Sequence, residues 1–133
     1  MKAAQKFYLK VYDEDVALNS IRVLNNRSDP THNFENVVYN ELLYLGYNLQ
    51  VYHDGSQEID FVANKGNKQC NKQYYIQAAF SVAEEKAYER EFGAFTKLDN
   101  SRQKIVMTND DIDYSTSTVR HIRFRDFVQM EEL

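Results

Sequence analysis

The chain has 133 residues, and its 16 Lys and Arg against 20 Asp and Glu give a formal net charge of −4. This length is typical of one domain, and 43% hydrophobic residues with only 4 Gly and 1 Pro leave little material for linkers or low-complexity segments. The acidic balance argues against tight DNA binding through overall charge, so a nucleic-acid partner would require a local basic patch.

Several other classes of protein are excluded by single features of the sequence. Cys70 is the only cysteine, so neither a disulfide nor a thiolate zinc site is expected within the chain, which fits a reducing cytoplasm. His32, His53 and His121 lack the spacing of zinc ligands. Residues 1–25 have no apolar signal-peptide core, and no segment approaches the roughly 20 apolar residues of a membrane span. Without a Gly-rich phosphate loop, we expect no ATP hydrolysis by the chain itself.

The first 30 residues form a predicted linker segment. Residues 6–12 are typical of a short strand, and residues 16–24 carry a weak helical pattern. We expect this segment, 1–30, to pack on a core formed by residues 31–133 within a single globular unit.

The strongest helical pattern follows Pro30 in the stretch "FENVVYNELLYLG". Thr31 or Asn33 is a plausible N-cap, because Thr and Asn side chains accept hydrogen bonds from the first free N–H groups of a helix. Gly46 is a natural C-terminal cap, because glycine adopts the left-handed conformation that ends many helices.

The remaining elements alternate in a recognisable order. Asp54-Gly55 and a stretch rich in Gly, Asn and Lys separate three strand-like runs, which predicts consecutive antiparallel pairing. In chain order the predicted elements are strands at 47–53, 58–65 and 73–81, a helix at 84–98, a strand at 103–108, and a last strand and short helix from 119 to the end. The predicted α/β core therefore has the order α-β-β-β-α-β.

Glu41 falls in the middle of the apolar stripe of the first helix. An isolated buried charge is costly, so this carboxylate must be paired, hydrogen-bonded, bound to a metal or placed at the rim of a cleft. A rim position, with an Arg or a backbone amide as partner, and a metal-ligand role both fit the spacing.

Two of the predicted strands carry polar groups at alternate positions. The pleat places Ile59, Phe61 and Ala63 on one face and Asp60 on the other. It likewise separates Ile76, Ala78 and Phe80 from Tyr75, Gln77 and Ala79. If the first helix packs on these strands, Glu41, Asp60 and Gln77 could converge into an oxygen-ligand site of the kind that Mg²⁺ prefers, although a solvated strand face explains Asp60 and Gln77 equally well.

A family resemblance adds weight to the metal interpretation. The stretches "NFENVVYNELLYLGYNLQVY", "EIDFVA", "YIQAAFS" and "EREFGAFTKL" occur in this order. Residues 31–128 thereby resemble the nuclease-like C-terminal domain of bacterial and archaeal AAA-type ATPases, a branch of the PD-(D/E)XK restriction-endonuclease-like superfamily. The upstream residues resemble the segment that joins the ATPase portion to this fold. The resemblance implies a mixed central sheet flanked by helices.

The resemblance also assigns roles. Glu41 matches the acidic residue of the first core helix, Asp60 the Asp of the motif, and Gln77 its acid-or-Gln position, and together these would hold a catalytic Mg²⁺. The motif lysine should follow two residues after Gln77, where this sequence has Ala79. That lysine orients the attacking water and stabilises charge on the phosphate, while the metal acts as a Lewis acid.

No replacement cation is evident from the sequence. Lys65 lies off the Asp60 face by strand parity, and Lys72 precedes the third strand in a predicted turn. Lys86, Arg90 and Lys97 on the second helix remain candidates, with a solvated or ion-paired role favoured for Arg90 because it points away from the apolar stripe.

A second candidate surface lies near the end of the chain. The stretch "RHIRFRDF" alternates, which predicts His121, Arg123 and Arg125 on one strand face as a basic stripe for phosphate contact. An exposed strand face with ion pairs is an equal alternative.

Three hypotheses follow for the function. The leading one is a cytoplasmic accessory domain of an AAA-type ATPase with a degenerate nuclease fold, serving nucleic-acid or partner recognition. The second is an active Mg²⁺-dependent DNA or RNA phosphodiesterase with a displaced cation, and the third is a purely structural interaction domain. Expected partners are the ATPase portion, possibly DNA or RNA, and further copies in an oligomer, but no membrane.

Overall fold

A computed structural model describes residues 30–54, 57–66 and 71–133. The predicted strand and helix of the linker segment, and Cys70, lie outside the described residues. The described elements are α1 (Pro30–Tyr44), β1 (Asn48–Asp54), β2 (Gln57–Gly66), β3 (Asn71–Ala78), α2 (Glu85–Gly93), β4 (Gln103–Thr108), β5 (Val119–Arg123) and α3 (Phe124–Phe127). The predicted order α-β-β-β-α-β is confirmed, and β5 and α3 follow it as expected.

The strands form one five-stranded mixed sheet in the order β1-β2-β3-β4-β5. The pairs β1·β2 and β2·β3 are antiparallel, which confirms the predicted hairpins. The pairs β3·β4 and β4·β5 are parallel, so α2 serves as a crossover between β3 and β4. The amino ends of β3, β4 and β5 therefore lie at one end of the sheet and their carboxyl ends at the other.

Helix α1 ends as predicted but begins earlier. Gly46 has φ +93°, its N–H donates to Leu43 O at 3.0 Å, and the Tyr47 N–H donates to Leu42 O at 3.1 Å, which is a Schellman cap. The predicted N-cap at Thr31 or Asn33 is wrong, because the helix already includes Pro30. Proline suits a first turn, where N–H groups have no acceptor within the helix. At 15 residues, α1 is the longest described helix, and none of the described helices is long and apolar enough to cross a membrane.

Two apolar clusters hold the sheet between its helices. The first joins the stripe of α1 to one sheet face and to α3, and the second joins the other sheet face to α2. Residues of the first include Phe34, Val38, Leu42, Phe61, Ala63, Ile76, Ala78, Met107 and Phe127. Residues of the second include Ile59, Val62, Tyr75, Ala79, Val82, Phe92, Phe95 and Val106. On β3 the predicted division of faces is confirmed for Ile76 and Ala78 against Tyr75 and Ala79. The predicted extent to residue 81 is wrong, because the strand ends at Ala78 and Phe80 beyond it is exposed.

On β2 the predicted division of faces is wrong at Ile59. The pairing changes from Gln50↔Val62 to Tyr52↔Ile59, so three steps along β2 match two along β1. This β-bulge adds one residue to β2 and moves Ile59 to the face that Val62 occupies. Both faces of β2 are consequently apolar, and Asp60 lies within the bulge.

Helix α2 is shorter than predicted. It ends at Gly93, and single hydrogen-bonded turns continue the chain as far as Leu98. The expected apolar stripe is confirmed, since Phe92 and Phe95 are buried in the second cluster and Tyr88 packs against it. The Tyr88 and Phe92 rings are stacked with centroids 4.2 Å apart.

Candidate functional site at the β2 and β3 strand ends

Asp60 and Gln77 are joined by side-chain hydrogen bonds where the β2·β3 ladder ends. Beyond the pair Phe61↔Ile76, the Asp60 N–H donates to Gln77 Oε1 at 2.7 Å, and the Ala78 N–H donates to Asp60 Oδ2 at 2.9 Å. Side chains thus satisfy two backbone donors that a regular ladder would pair with carbonyls. Two of the three residues predicted for the metal site therefore meet.

The Asp60 carboxyl lies in a poorly solvated position. Burial raises its pKa from 3.8 to about 7, and this effect outweighs the hydrogen bond from the Ala78 N–H, which favours the ionised form. The charges of Glu91 and Glu58 raise the pKa further, and the Arg90 guanidinium lowers it. A carboxyl with this pKa exchanges its proton near neutral pH, which is the property expected of a general acid or base.

Glu91 is a third acidic group at this site, and it was missed in the sequence. Its side chain is buried, and burial raises its pKa, whereas the Arg90 guanidinium lowers it with a bond of 3.1 Å from Nε to Glu91 Oε1. Its spacing from Tyr88 and Phe95 places Glu91 on the apolar stripe of α2, the signal that singled out Glu41 on α1.

The ion-paired role expected of Arg90 is confirmed by its contact with Glu91. Its side chain is 64% exposed, so it lies at the solvent side of the pair with Glu91. Because its charge also lowers the pKa of Asp60, Arg90 is a described cation that acts on the predicted catalytic carboxylate.

Glu41 is fully buried, so the rim position considered for it is wrong. It lies on the stripe of α1 that joins the first cluster, whereas alternation along β3 places Gln77 on the opposite sheet face with Tyr75 and Ala79. Glu41 is not part of the hydrogen-bonded pair that Asp60 and Gln77 form.

Ala79 is fully buried in the second cluster, where the resemblance expects the motif lysine. Its N–H donates to Met107 O at 3.0 Å, which fixes the backbone against β4. The other buried members of this cluster, such as Ile59 and Phe92, are apolar. The surroundings of position 79 therefore favour a small apolar side chain.

The two nearby lysines considered as replacements are engaged elsewhere. Lys65 Nζ donates to Leu45 O at 2.7 Å at the carboxyl end of α1 and lies over the Tyr47 ring. Lys72 lies within β3 rather than in a turn, and it pairs with Glu132 at 2.7 Å.

The predicted basic stripe is divided between two elements. His121 is buried in β5, Arg123 ends that strand, and Arg125 lies in α3, so the expected single strand face is wrong for Arg125. The Arg123 guanidinium pairs with Asp126 at 2.9 Å, and that of Arg125 pairs with Asp111 at 3.0 Å. The alternative interpretation, a surface with ion pairs, fits these two contacts.

Both ring nitrogens of His121 are engaged in contacts within the fold. The Tyr114 N–H donates to its Nδ1 at 3.1 Å, so Nδ1 carries no proton and the neutral ring places its hydrogen on Nε2, 2.6 Å from Thr108 Oγ1. Burial lowers the pKa of His121, and the opposing charge of Asp113 does not reverse this. The ring ties the carboxyl ends of β4 and β5 to the preceding loop.

A divalent cation at the acidic site would need several free oxygen ligands. Among the residues that the structure describes, no three His, Cys, Asp or Glu side chains come together as a metal-binding group. The Gln77 oxygen already accepts a hydrogen bond, and the buried carboxyls of Asp60 and Glu91 hold their protons more tightly than usual. The described donors do not form a ready Mg²⁺ site, and the set of Glu41, Asp60 and Gln77 stays a prediction.

Comparisons of the chain with protein-family models, with curated proteins and with solved structures found no match. The functional assignment therefore depends on the geometry of the site.

Proposed function

We propose that this chain is a nuclease-like α/β domain that binds nucleic acid without cutting it and serves an AAA-type ATPase as an accessory module in the cytoplasm. The observation that carries the proposal is the complete burial of Ala79 among apolar side chains. At this position an active member of the resembled superfamily carries its lysine.

The environment of Ala79 opposes a charged group. A lysine there would carry a charge from a fully buried position into an apolar cluster, and a buried charge is strongly unfavourable unless it is paired. A cation that stabilises charge on a reacting phosphate contributes orders of magnitude in rate. The absence of such a cation from position 79 supports a role in binding rather than in cleavage.

The hydrogen bonds of Asp60 and Gln77 support the same conclusion. Both side chains satisfy backbone N–H groups, so they have a structural reason to persist after catalysis is lost. The order of elements agrees with the resemblance, although a fold alone does not establish an activity.

A second candidate function is a working phosphodiesterase in which Arg90 takes the place of the lysine. Two observations favour it: the pKa of Asp60 lies at about 7, and the charge of Arg90 acts on that carboxyl. A bound Mg²⁺ would supply Lewis-acid chemistry at the phosphate. Arg90 would stabilise negative charge, and Asp60 would exchange a proton.

The test is to incubate the chain with single-stranded DNA, duplex DNA and RNA, in Mg²⁺, in Mn²⁺ and in chelator, while binding and product formation are both measured. We expect binding without new product. Metal-dependent cleavage that is lost in Asp60→Asn and Arg90→Gln, but kept in Lys86→Gln, would establish the second candidate. If no nucleic acid binds, the chain is a purely structural interaction domain.

A further inference from the structure

A polar cleft lies at the end of the sheet opposite to Asp60. It has a volume of about 500 Å³ and extends from the start of β3 to the start of β4. A second depression of about 340 Å³ adjoins it and shares Gln103, Lys104 and Thr118. The two form one groove along the amino ends of β3, β4 and β5, which we call the amino-end groove.

The groove is basic although the chain is acidic. Its described lining carries the cations Lys72, Arg102, Lys104 and Arg120, and none of the described lining residues is Asp or Glu. The other polar lining residues are amides and alcohols such as Asn71, Gln73, Asn100, Ser101 and Ser115. Such a surface supplies positive charge and hydrogen-bond donors to an anion.

The cations of the groove have few acidic partners among the described residues, and Lys104 Nζ donates to two neutral oxygens, Asn100 Oδ1 at 3.2 Å and Leu98 O at 3.4 Å. Arg102, Lys104 and Arg120 form no ion pair with any described residue, whereas Lys72 pairs with Glu132. The Arg102 guanidinium lies over the Tyr75 ring at 5.3 Å, which holds its plane in place. Its Nε is buried and donates to no acceptor among the described residues. Because Nε is buried and Nη1 donates to Tyr75 OH at 3.4 Å, a phosphate in the groove would bind the remaining N–H groups of this fixed guanidinium.

The shape of the groove favours one extended strand. The two depressions are continuous through Lys104, with Lys72 and Arg102 toward one side and Arg120 toward the other. A groove with cations at intervals along its length can bind successive phosphates of a single nucleic-acid strand. Tyr74, the aromatic residue of the described lining, is buried, so the groove offers no platform for base stacking there.

We propose that the amino-end groove binds the phosphodiester backbone of single-stranded nucleic acid, with little preference for sequence. This inference deepens the proposed function and rests on it. The groove is independent of the Asp60 site, because Lys72 and Gln77 lie five residues apart on β3, about 17 Å.

The experiment measures fluorescence anisotropy of a labelled oligothymidine of about 12 nucleotides across a salt series. The groove variant is Lys104→Gln with Arg120→Gln. The matched control is Lys86→Gln with Arg125→Gln, which removes the same charges from two exposed residues outside the groove. Lys104→Arg keeps the charge, and thermal unfolding verifies that each variant is folded.

We expect the groove variant to bind roughly tenfold more weakly and the salt slope to fall by about 1.4, since each single-strand phosphate contact contributes about 0.7. The control and Lys104→Arg should bind as the native chain does. If the groove variant binds as tightly as the native chain, the groove is not the binding site, and the proposed function is left intact. If the control loses more affinity than the groove variant, binding is assigned to the Arg125 surface instead. No binding by the native chain overturns both proposals.

Competitors identify the ligand chemistry. Unlabelled oligothymidine should displace the probe far better than a nucleoside triphosphate or pyrophosphate at equal phosphate concentration. Equal displacement by polyglutamate would overturn the phosphodiester assignment in favour of an acidic peptide. Tighter binding of a duplex than of either of its strands would overturn the single-strand assignment.

Discussion

The side-chain oxygen of Gln77 accepts a hydrogen bond of 2.7 Å from the backbone N–H of Asp60, and Asp60 in turn accepts one from the strand that carries Gln77. The two residues expected to hold a metal are thus the residues that join β2 to β3 where the backbone ladder ends. Their structural and catalytic roles can be separated by experiment.

Gln77→Ala should destabilise the fold. Gln77 is buried, and the variant leaves the partly buried Asp60 N–H without its acceptor, which costs about 1–3 kcal/mol of unfolding free energy. Chemical denaturation measures this change. Gln50→Ala, an exposed substitution of the same type on β1, should change the unfolding free energy by less than about 0.5 kcal/mol. Equal effects of the two substitutions would contradict a structural role for Gln77.

Asp60→Asn should change how stability depends on pH. The pKa of Asp60 is about 7 in the folded protein, against 3.8 for an ordinary Asp side chain, so the unfolded chain loses this proton first as pH rises. The contribution of Asp60 to stability is therefore fully present below pH 4 and is lost as pH rises through about 7.

Asparagine retains an acceptor for the Ala78 N–H but carries no charge. The variant should melt at a higher temperature than the native chain at pH 8, and this advantage should shrink toward pH 4. Because each pKa unit corresponds to about 1.4 kcal/mol, the effect amounts to a few kcal/mol at most. The pKa of Glu91 is also raised, but Glu91 is present in both proteins. The difference between their melting temperatures across this pH range therefore reports the contribution of Asp60. Parallel curves would contradict the perturbed pKa.

Ala79→Lys should not restore a working nuclease. The ammonium would be buried among apolar side chains, and we expect a loss of at least about 3 kcal/mol in unfolding free energy. Ala79→Met serves as the control, because it adds a side chain of similar length without charge and measures the steric cost alone.

The two substitutions at position 79 also differ in pH dependence. Burial lowers the pKa of a lysine in the folded state, so the unfolded chain binds more protons and stability rises with pH toward the lysine value of about 10.4. Denaturation should show that Ala79→Lys gains unfolding free energy between pH 7 and pH 9.5, whereas Ala79→Met does not. A lysine variant that is as stable as the native chain and cleaves DNA would refute the non-catalytic proposal.

His121 should be neutral, with its hydrogen on Nε2, at pH 7. The Tyr114 N–H donates to Nδ1, and burial lowers the pKa of the ring. Nitrogen-15 chemical shifts of the imidazole report the tautomer directly. The contribution of His121 to stability is present above its ordinary pKa of about 6.5 and is lost as pH falls through the lower folded value.

His121→Phe should cost about 1–3 kcal/mol, because the Tyr114 N–H and Thr108 Oγ1 both lose a partner. The same variant should bind oligothymidine as the native chain does, since His121 lies outside the amino-end groove. A loss of binding without a loss of stability would return His121 to a phosphate-contacting role.

Local patterns in the sequence determined the order of the helices and strands, the end of α1 at Gly46 and the stripe of α2. These features depend on hydrophobic periodicity and on the conformational freedom of glycine, which are properties of neighbouring residues. The same patterns singled out Glu41, Asp60 and Gln77 as polar groups within apolar elements.

Tertiary structure decided which of those groups meet and in what environment. The bulge in β2 moved Ile59 to the other face, because strand register depends on the partner strand. Burial between β2, β3 and α2 set the pKa of Asp60 and brought Glu91 beside it, since desolvation depends on contacts between residues distant in sequence. The amino-end groove likewise joins Lys72, Lys104 and Arg120 only because β3, β4 and β5 run parallel and place their amino ends side by side.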